Sequence, residues 1–82
     1  MYELVGYIRR TGEYQGRPFD NYNLHCKVMA PPEGQIGEAV EVLKVRKAVV
    51  DLLESTHGPL QIGDVLDVYY DRFGKITTIA VR

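Results

Sequence analysis

Three guanidinium groups and two aromatic rings crowd one short stretch of this 82-residue chain: Arg9, Arg10, Tyr14, Arg17 and Phe19, punctuated by Gly12 and Gly16. Rings stack on nucleobases of any sequence, and guanidinium groups meet phosphates, so this combination suits an unpaired nucleic-acid strand. Tyr14 and Phe19 flank a loop, where a large ring gains little from burial unless it folds back or meets a partner. For Arg9, Arg10 and Arg17 the competing reading is a solvated surface. Asn21, Lys27, Lys44 and Arg46 are further candidates for the same groove.

Net charge weighs against a strongly basic binder, because ten Lys/Arg face eleven Asp/Glu, a formal balance of −1, and phosphate contacts supply most non-specific affinity. The distribution is uneven. Residues 1–47 hold seven basic against six acidic side chains, and residues 48–82 hold three against five. Only Glu13 lies among Arg9, Arg10 and Arg17, so a local positive patch is compatible with a neutral molecule.

Catalysis is not expected. His25 and His57 are isolated, Ser55 falls in a helix-stop signal, and His25 and its neighbour Cys26 point to opposite faces of a strand. Asp67 and Asp71 share an exposed face from which Asp64 is excluded, which suits solvation better than acid-base or metal chemistry. Neither GxxxxGK[ST] nor GxGxxG occurs. No cofactor or metal is implied, and Cys26, the only cysteine, reads as a small buried hydrophobe.

The elements that must position these groups follow from periodicity. Residues 2–10 mix β-branched, aromatic and polar side chains at strand length. Residues 11–18 read as a loop, since Gly12 and Gly16 permit positive φ and Pro18 lacks a backbone donor. Over residues 20–29 the alternation places Tyr22, Leu24, Cys26 and Val28 on an apolar face and Asn21, Asn23, His25 and Lys27 on the other. Residues 30–37, with two prolines and two glycines, form a loop. Residues 38–56 are ambiguous: one long helix fits, but valine enrichment favours a strand over 38–45 followed by a short helix over 47–56, stopped by Gly58 and Pro59. A strand at 63–71, with Leu66, Val68 and Tyr70 on its core face, turns through Arg72-Phe73-Gly74 into a last strand at 75–81. Three strands, a short helix and two strands is the order of a mainly β, five-stranded OB-like barrel, a single domain over residues 1–82.

Gln15-Gly16-Arg17-Pro18-Phe19, leading into a polar and aromatic second strand, resembles the Gly-basic-Pro-aromatic element of the small single-stranded DNA-binding proteins of filamentous phages. The likeness extends to chain length and to the closing strand-turn-strand unit at 64–81; it is specific over about twenty residues near the N-terminus and generic beyond them. It implies an OB-like barrel, often a two-fold dimer, that coats single-stranded DNA cooperatively and largely without sequence preference during replication of a phage, plasmid or conjugative element. On this chain the contacting hairpin is 9–19, with Arg17 on phosphate and Tyr14 or Phe19 on bases. The near-neutral charge and the helix over 47–56 depart from the family pattern. RNA is an equally good ligand for stacking alone, which does not read the 2′-hydroxyl. A different class of function is a protein-interaction or dimerisation module, in which the rings and the valine-rich segment meet a partner and the arginines serve solubility.

A homodimer is expected on size, because a core this small gains from burying more surface across a two-fold axis. No apolar run approaches the roughly 20 residues that span a bilayer, and Glu3 interrupts the N-terminus before a signal-peptide core, so no membrane partner and a cytoplasmic location are expected.

Overall fold

The computed structural model describes residues 1–82 and is mainly β. The strands are β1 (Tyr2–Tyr14), β2 (Arg17–Val28), β3 (Val40–Arg46), β4 (Val65–Tyr70) and β5 (Ile76–Val81), with one helix, α1 (Lys47–His57), between β3 and β4. They form a five-stranded antiparallel sheet in the order β3-β2-β1-β4-β5. No ladder joins β3 to β5, so backbone hydrogen bonds do not close the sheet into the expected barrel.

The first hairpin is longer than the glycines and the proline suggest. Pairing runs without a break from Tyr7 opposite Leu24 to Tyr14 opposite Arg17, so residues 11–14 and 17–18, read from sequence as loop, are strand. Only Gln15 and Gly16 connect them, with φ of 51° and 77°, the paired positive values of a type I′ hairpin turn. Such a turn closes on a hydrogen-bonded pair, which aims the nitrogen of the next residue, Pro18, away from β1. On that side β3 reaches only as far as Asn21. The missing donor of Pro18 therefore falls on a free edge, where it interrupts nothing. Thirteen residues at about 3.3 Å each give β1 a length of about 43 Å, comparable with the molecule's longest dimension of 44 Å.

A bulge at Val5 lets one strand serve both parts of the molecule. Leu4 pairs with Cys26 and Gly6 with His25, leaving Val5 unopposed, so Leu4 and Tyr7 face the same side although three positions apart. Before the bulge β1 also pairs with β4, through Tyr2 opposite Leu66 and Glu3 opposite Val65. The Leu4 amide donates to the Asp64 carbonyl at 2.9 Å, and the Gly63 amide donates to the Leu4 carbonyl at 2.8 Å. Beyond the bulge β1 pairs with β2 alone, and the hairpin projects.

Residues 38–56 resolve as strand then helix, with the change at Arg46 and Lys47. Val49, Val50 and Leu53 bury the inner stripe of α1. The Gly58 amide donates to the Glu54 carbonyl at 2.9 Å and the Leu60 amide to the Glu54 carboxylate at 3.1 Å, which satisfies the polar groups of the helix stop. The core comprises twelve residues, all apolar, drawn from every strand, the helix and Leu60; Tyr2, Tyr22, Val68 and Val81 pack around it. Cys26 belongs to this core as expected, and Tyr22 half-buries its ring on it. Tyr70 does not. The extra residue of the β4–β5 bulge is Thr77, so Tyr70 keeps the core-facing side, opposite the buried Ile76, but it lies at the end of its strand and is 49% exposed. No helix is long and apolar enough to cross a membrane.

Candidate nucleic-acid interface

The register determines what the solvent-facing side of β1, β2 and β3 carries. Side chains opposite each other in adjacent strands share a face, so the outer surface is laid out in rows. Arg10, Asn21 and Arg46 form one row, Ile8, Asn23 and Lys44 the next, and His25 and Val42 a third beside Gly6. Toward the hairpin tip the same face continues with Phe19 opposite Gly12 and with Arg17 opposite Tyr14, whose ring is 71% exposed.

Phe19 is held on this surface by the absence of a side chain across from it. A Cβ placed on Gly12 would lie 2.8 Å from Phe19 Cζ and 3.0 Å from Cε1, so the ring rests directly on the glycine backbone. Beside it lies a shallow hollow of about 370 Å³ bounded by Arg10, Phe19, Asn21, Asn23 and Lys44. A second groove of about 480 Å³ shares Asn21 and Lys44 with the first and continues along the free edge of β3 to the β4–β5 turn. Its rim carries Arg46, Lys75, Tyr70 and Glu41. Together they make a path from the hairpin, across the β2–β3 face, to the open side of the sheet.

Ion pairing sorts the cations. Arg9 is bound to Asp20 through two hydrogen bonds, of 2.9 and 2.6 Å, Lys47 to Asp51 at 2.6 Å and Arg82 to Asp67 at 2.6 Å; Lys27 lies 3.9 Å from Glu3 and 3.8 Å from Glu38. The other six, Arg10, Arg17, Lys44, Arg46, Arg72 and Lys75, enter no salt bridge. They lie on the hairpin, on β3 and in the β4–β5 turn, where Arg72 sits 4.9 Å from the centre of the Phe73 ring. A chain with net charge −1 thus keeps its uncompensated positive groups along the path just described.

The carboxylates nearby are committed elsewhere. Arg9 holds Asp20 below the usual carboxylate range, mainly through its hydrogen bonds. Asp71 is also held low, first by the Lys75 amide and then by the Phe73 amide, which donate to it at 3.0 and 2.8 Å and shape the turn. Glu41 and Glu13 are the exceptions, exposed acids with no ion pair: Glu41 lines the groove from the core-facing side of β3, and Glu13 shares the Arg9 side of the hairpin.

Arg10, Phe19, Asn21, Lys44 and Arg46 are thereby brought together, and Tyr14 and Arg17 stand further out on the same face. Two of the nominated residues are not gathered with them. Arg9 pairs with Tyr22 and so faces the opposite side of the hairpin, and Lys27 lies at the far end of β2 between Glu3 and Glu38. Asn23, Lys75, Tyr70 and Glu41 line these hollows without having been singled out, the last two from the core-facing side of the sheet. Asn23 shares the alternation that marked Asn21, whereas the other three arrive only through the strand order.

No family model, no curated protein and no solved structure matches this chain.

Proposed function

We propose that the protein binds single-stranded DNA, largely without sequence preference, along the outer face of its first hairpin and third strand. The observation that carries this reading is the segregation of the cations: those away from the path are neutralised in ion pairs, and those along it are free to meet phosphate. Phe19, packed against Gly12, and the exposed Tyr14 supply stacking surfaces beside them. A duplex would offer its phosphates but not its base faces.

The fold reading that accompanies this is an OB-like barrel. The order β3-β2-β1-β4-β5, with the helix between β3 and β4, is that barrel opened along one seam, and the strand 2–3 face with its flanking loops is where such barrels take oligonucleotides. On the same reading the protein works as a two-fold dimer in the replication of a phage, plasmid or conjugative element, and an RNA strand is an alternative ligand.

The test is a titration of labelled oligothymidine at two salt concentrations, beside a duplex of equal length and an Arg17→Glu variant. Tight, salt-sensitive binding of the single strand, weakened by the substitution and absent for the duplex, supports the proposal. Equal affinity for both forms, or no binding at low salt, removes it.

A second reading has an observation of its own. Ile8, Val40 and Val42 are exposed on the outer face of the sheet, an apolar group that a protein partner or second copy would cover. A protein-interaction module predicts that Val42→Asp abolishes association while Arg17→Glu leaves it intact; strand binding predicts the greater loss from Arg17→Glu.

A further inference from the structure

Beyond the bulge at Val5, β1 has a neighbour on one side only. β4 accompanies it at Tyr2 and Glu3, and Gly63 and Asp64 bond to Leu4, so the far edge from Tyr7 to Tyr14 belongs to no ladder. Every residue along it is exposed. Tyr14 and Arg17 close the turn as a hydrogen-bonded pair, and such pairs alternate along an antiparallel ladder. The backbone N–H and C=O groups of Tyr7, Arg9, Thr11 and Glu13 therefore point to the open side. An open row of this length is a template for another strand.

The edge is complementary to itself when reversed about Thr11. Two copies related by a two-fold axis normal to the sheet run antiparallel there, and residues directly opposite share a face. With Thr11 on the axis, Arg9 of each copy stands opposite Glu13 of the other, on the side of the hairpin that both occupy. On the outer side Ile8 stands opposite Tyr14, each more than half exposed in the single chain, and Arg10 stands opposite Gly12. The Arg9–Glu13 and Thr11–Thr11 pairs are those whose backbone groups face the edge, so each can exchange two hydrogen bonds. Glu13 has no ion pair within the chain, and Arg9, although held by Asp20, has N–H donors to spare.

Charges on an edge strand ordinarily prevent such pairing. Here their signs select one register. Centring the pair on Arg10 would oppose that arginine to itself, and centring it on Gly12 would set Arg9 against Gln15 and Glu13 against Thr11.

We infer that the partner for this edge is a second copy of the chain, joined through β1 from Ile8 to Tyr14 in the register centred on Thr11. The two hairpins become one four-stranded sheet. Its outer face carries Arg10, Arg17 and Phe19 of both copies, and Tyr14 enters the seam between them. The inference rests on the strand-binding reading for what that joined face does, and names the interface of its dimer.

Sedimentation velocity over a range of concentrations, without nucleic acid, tests the contact. The wild type should dimerise reversibly. Glu13→Arg and Arg9→Glu each create two like-charged pairs across the axis, and each should raise the dissociation constant about tenfold. An equimolar mixture of the two variants restores opposite charges at both sites and should recover the wild-type value. Thr11→Pro removes an edge donor without touching the ladder to β2 and should abolish the dimer, whereas Val42→Asp should leave it intact. Circular dichroism verifies that each variant is folded; Glu13→Arg and Thr11→Pro break no bond inside the chain and decide the matter if Arg9→Glu, which loses Asp20, is not. A wild type that is monomeric at every concentration, folded variants that dimerise as it does, or a folded mixture no better than its components overturns the inference. Oligothymidine binding by the same samples is scored separately: a dimer that binds no strand keeps the interface and removes the strand-binding reading, and a monomer that binds removes the interface alone.

Discussion

The Phe19 ring lies across Gly12 so closely that a single added carbon at position 12 would sit 2.8 Å from its Cζ. Gly12→Val should therefore displace the ring, which is 38% exposed and free to swing outward. The variant should lose as much affinity for oligothymidine as Phe19→Ala, about 1–3 kcal/mol for one lost stacking contact. Its thermal midpoint should hold or rise, because a β-branched residue replaces glycine in a strand. Parallel binding and melting curves separate the two effects.

Salt dependence distinguishes free from paired cations. Each phosphate contact on a single strand contributes about 0.7 to the slope of log affinity against log salt. Arg10→Ala and Arg46→Ala should each lower the slope by about that amount. Arg82→Ala and Lys47→Ala, whose partners are Asp67 and Asp51, should leave it unchanged. A uniform response across all four variants would show that the ion pairs do not set which cations act.

The hairpin turn holds Gln15 at φ 51° and Gly16 at φ 77°. An L-residue in this region costs roughly 1–2 kcal/mol, so Gly16→Ala should destabilise the protein by about that much in urea unfolding. Gln15→Asn should stabilise it by a few tenths to about 1 kcal/mol, since Asn-Gly is the preferred pair for this turn. Amide exchange of residues 11–19 should slow in the second variant.

Acid stability follows from Asp71 and Asp20, both held below the ordinary carboxylate range when folded, by the Lys75 and Phe73 amides and by Arg9 respectively. A depressed folded-state pKa means that the native state binds fewer protons, so the contribution is complete well above the unfolded value of about 3.9 and disappears as pH falls through the lower folded value. Asp71→Asn should flatten the stability profile below about pH 4, where the wild type declines, and leave its shape unchanged near neutral pH. Urea midpoints across this range provide the measurement.

Cys26 should be inert in the native protein. It is 1% exposed, and burial, reinforced by the charge of Glu41, pushes its thiol up to about 11. Labelling by a thiol reagent at pH 8 should proceed no faster than global opening, and at the rate of a free thiol in urea.

The alternation in β2 was readable because one face of that strand is core and the other solvent, and Tyr22, Leu24 and Cys26 lie on the side that the pattern requires. The extent of the hairpin was not. Gly12 and Pro18 are breakers by type, and only the register reveals that one lies under a ring and the other on a free edge. Tyr70 follows the apolar alternation of β4 and stands opposite the buried Ile76, yet it lies at the strand's open end, where the core has run out and the ring is half-exposed beside the groove. Residues 38–56 carried both strand and helix signals, and tertiary packing decided between them. The site was legible as residue types on the hairpin. Arg9 and Lys27 share those types, yet their roles depend on partners distant in sequence, Asp20 for the one and Glu3 and Glu38 for the other.

The division between paired and unpaired cations gives the molecule an electric moment larger than its net charge implies. Above its isoelectric point of about 6.1 the whole protein migrates as an anion, while the hairpin and β3 side still attracts negative charge. Within about one screening length, 10 Å at 0.1 M salt, a polyanion feels that face before it feels the total. The protein should therefore be retained by a phosphocellulose column at pH 7 under low salt, oriented with its outer sheet toward the resin.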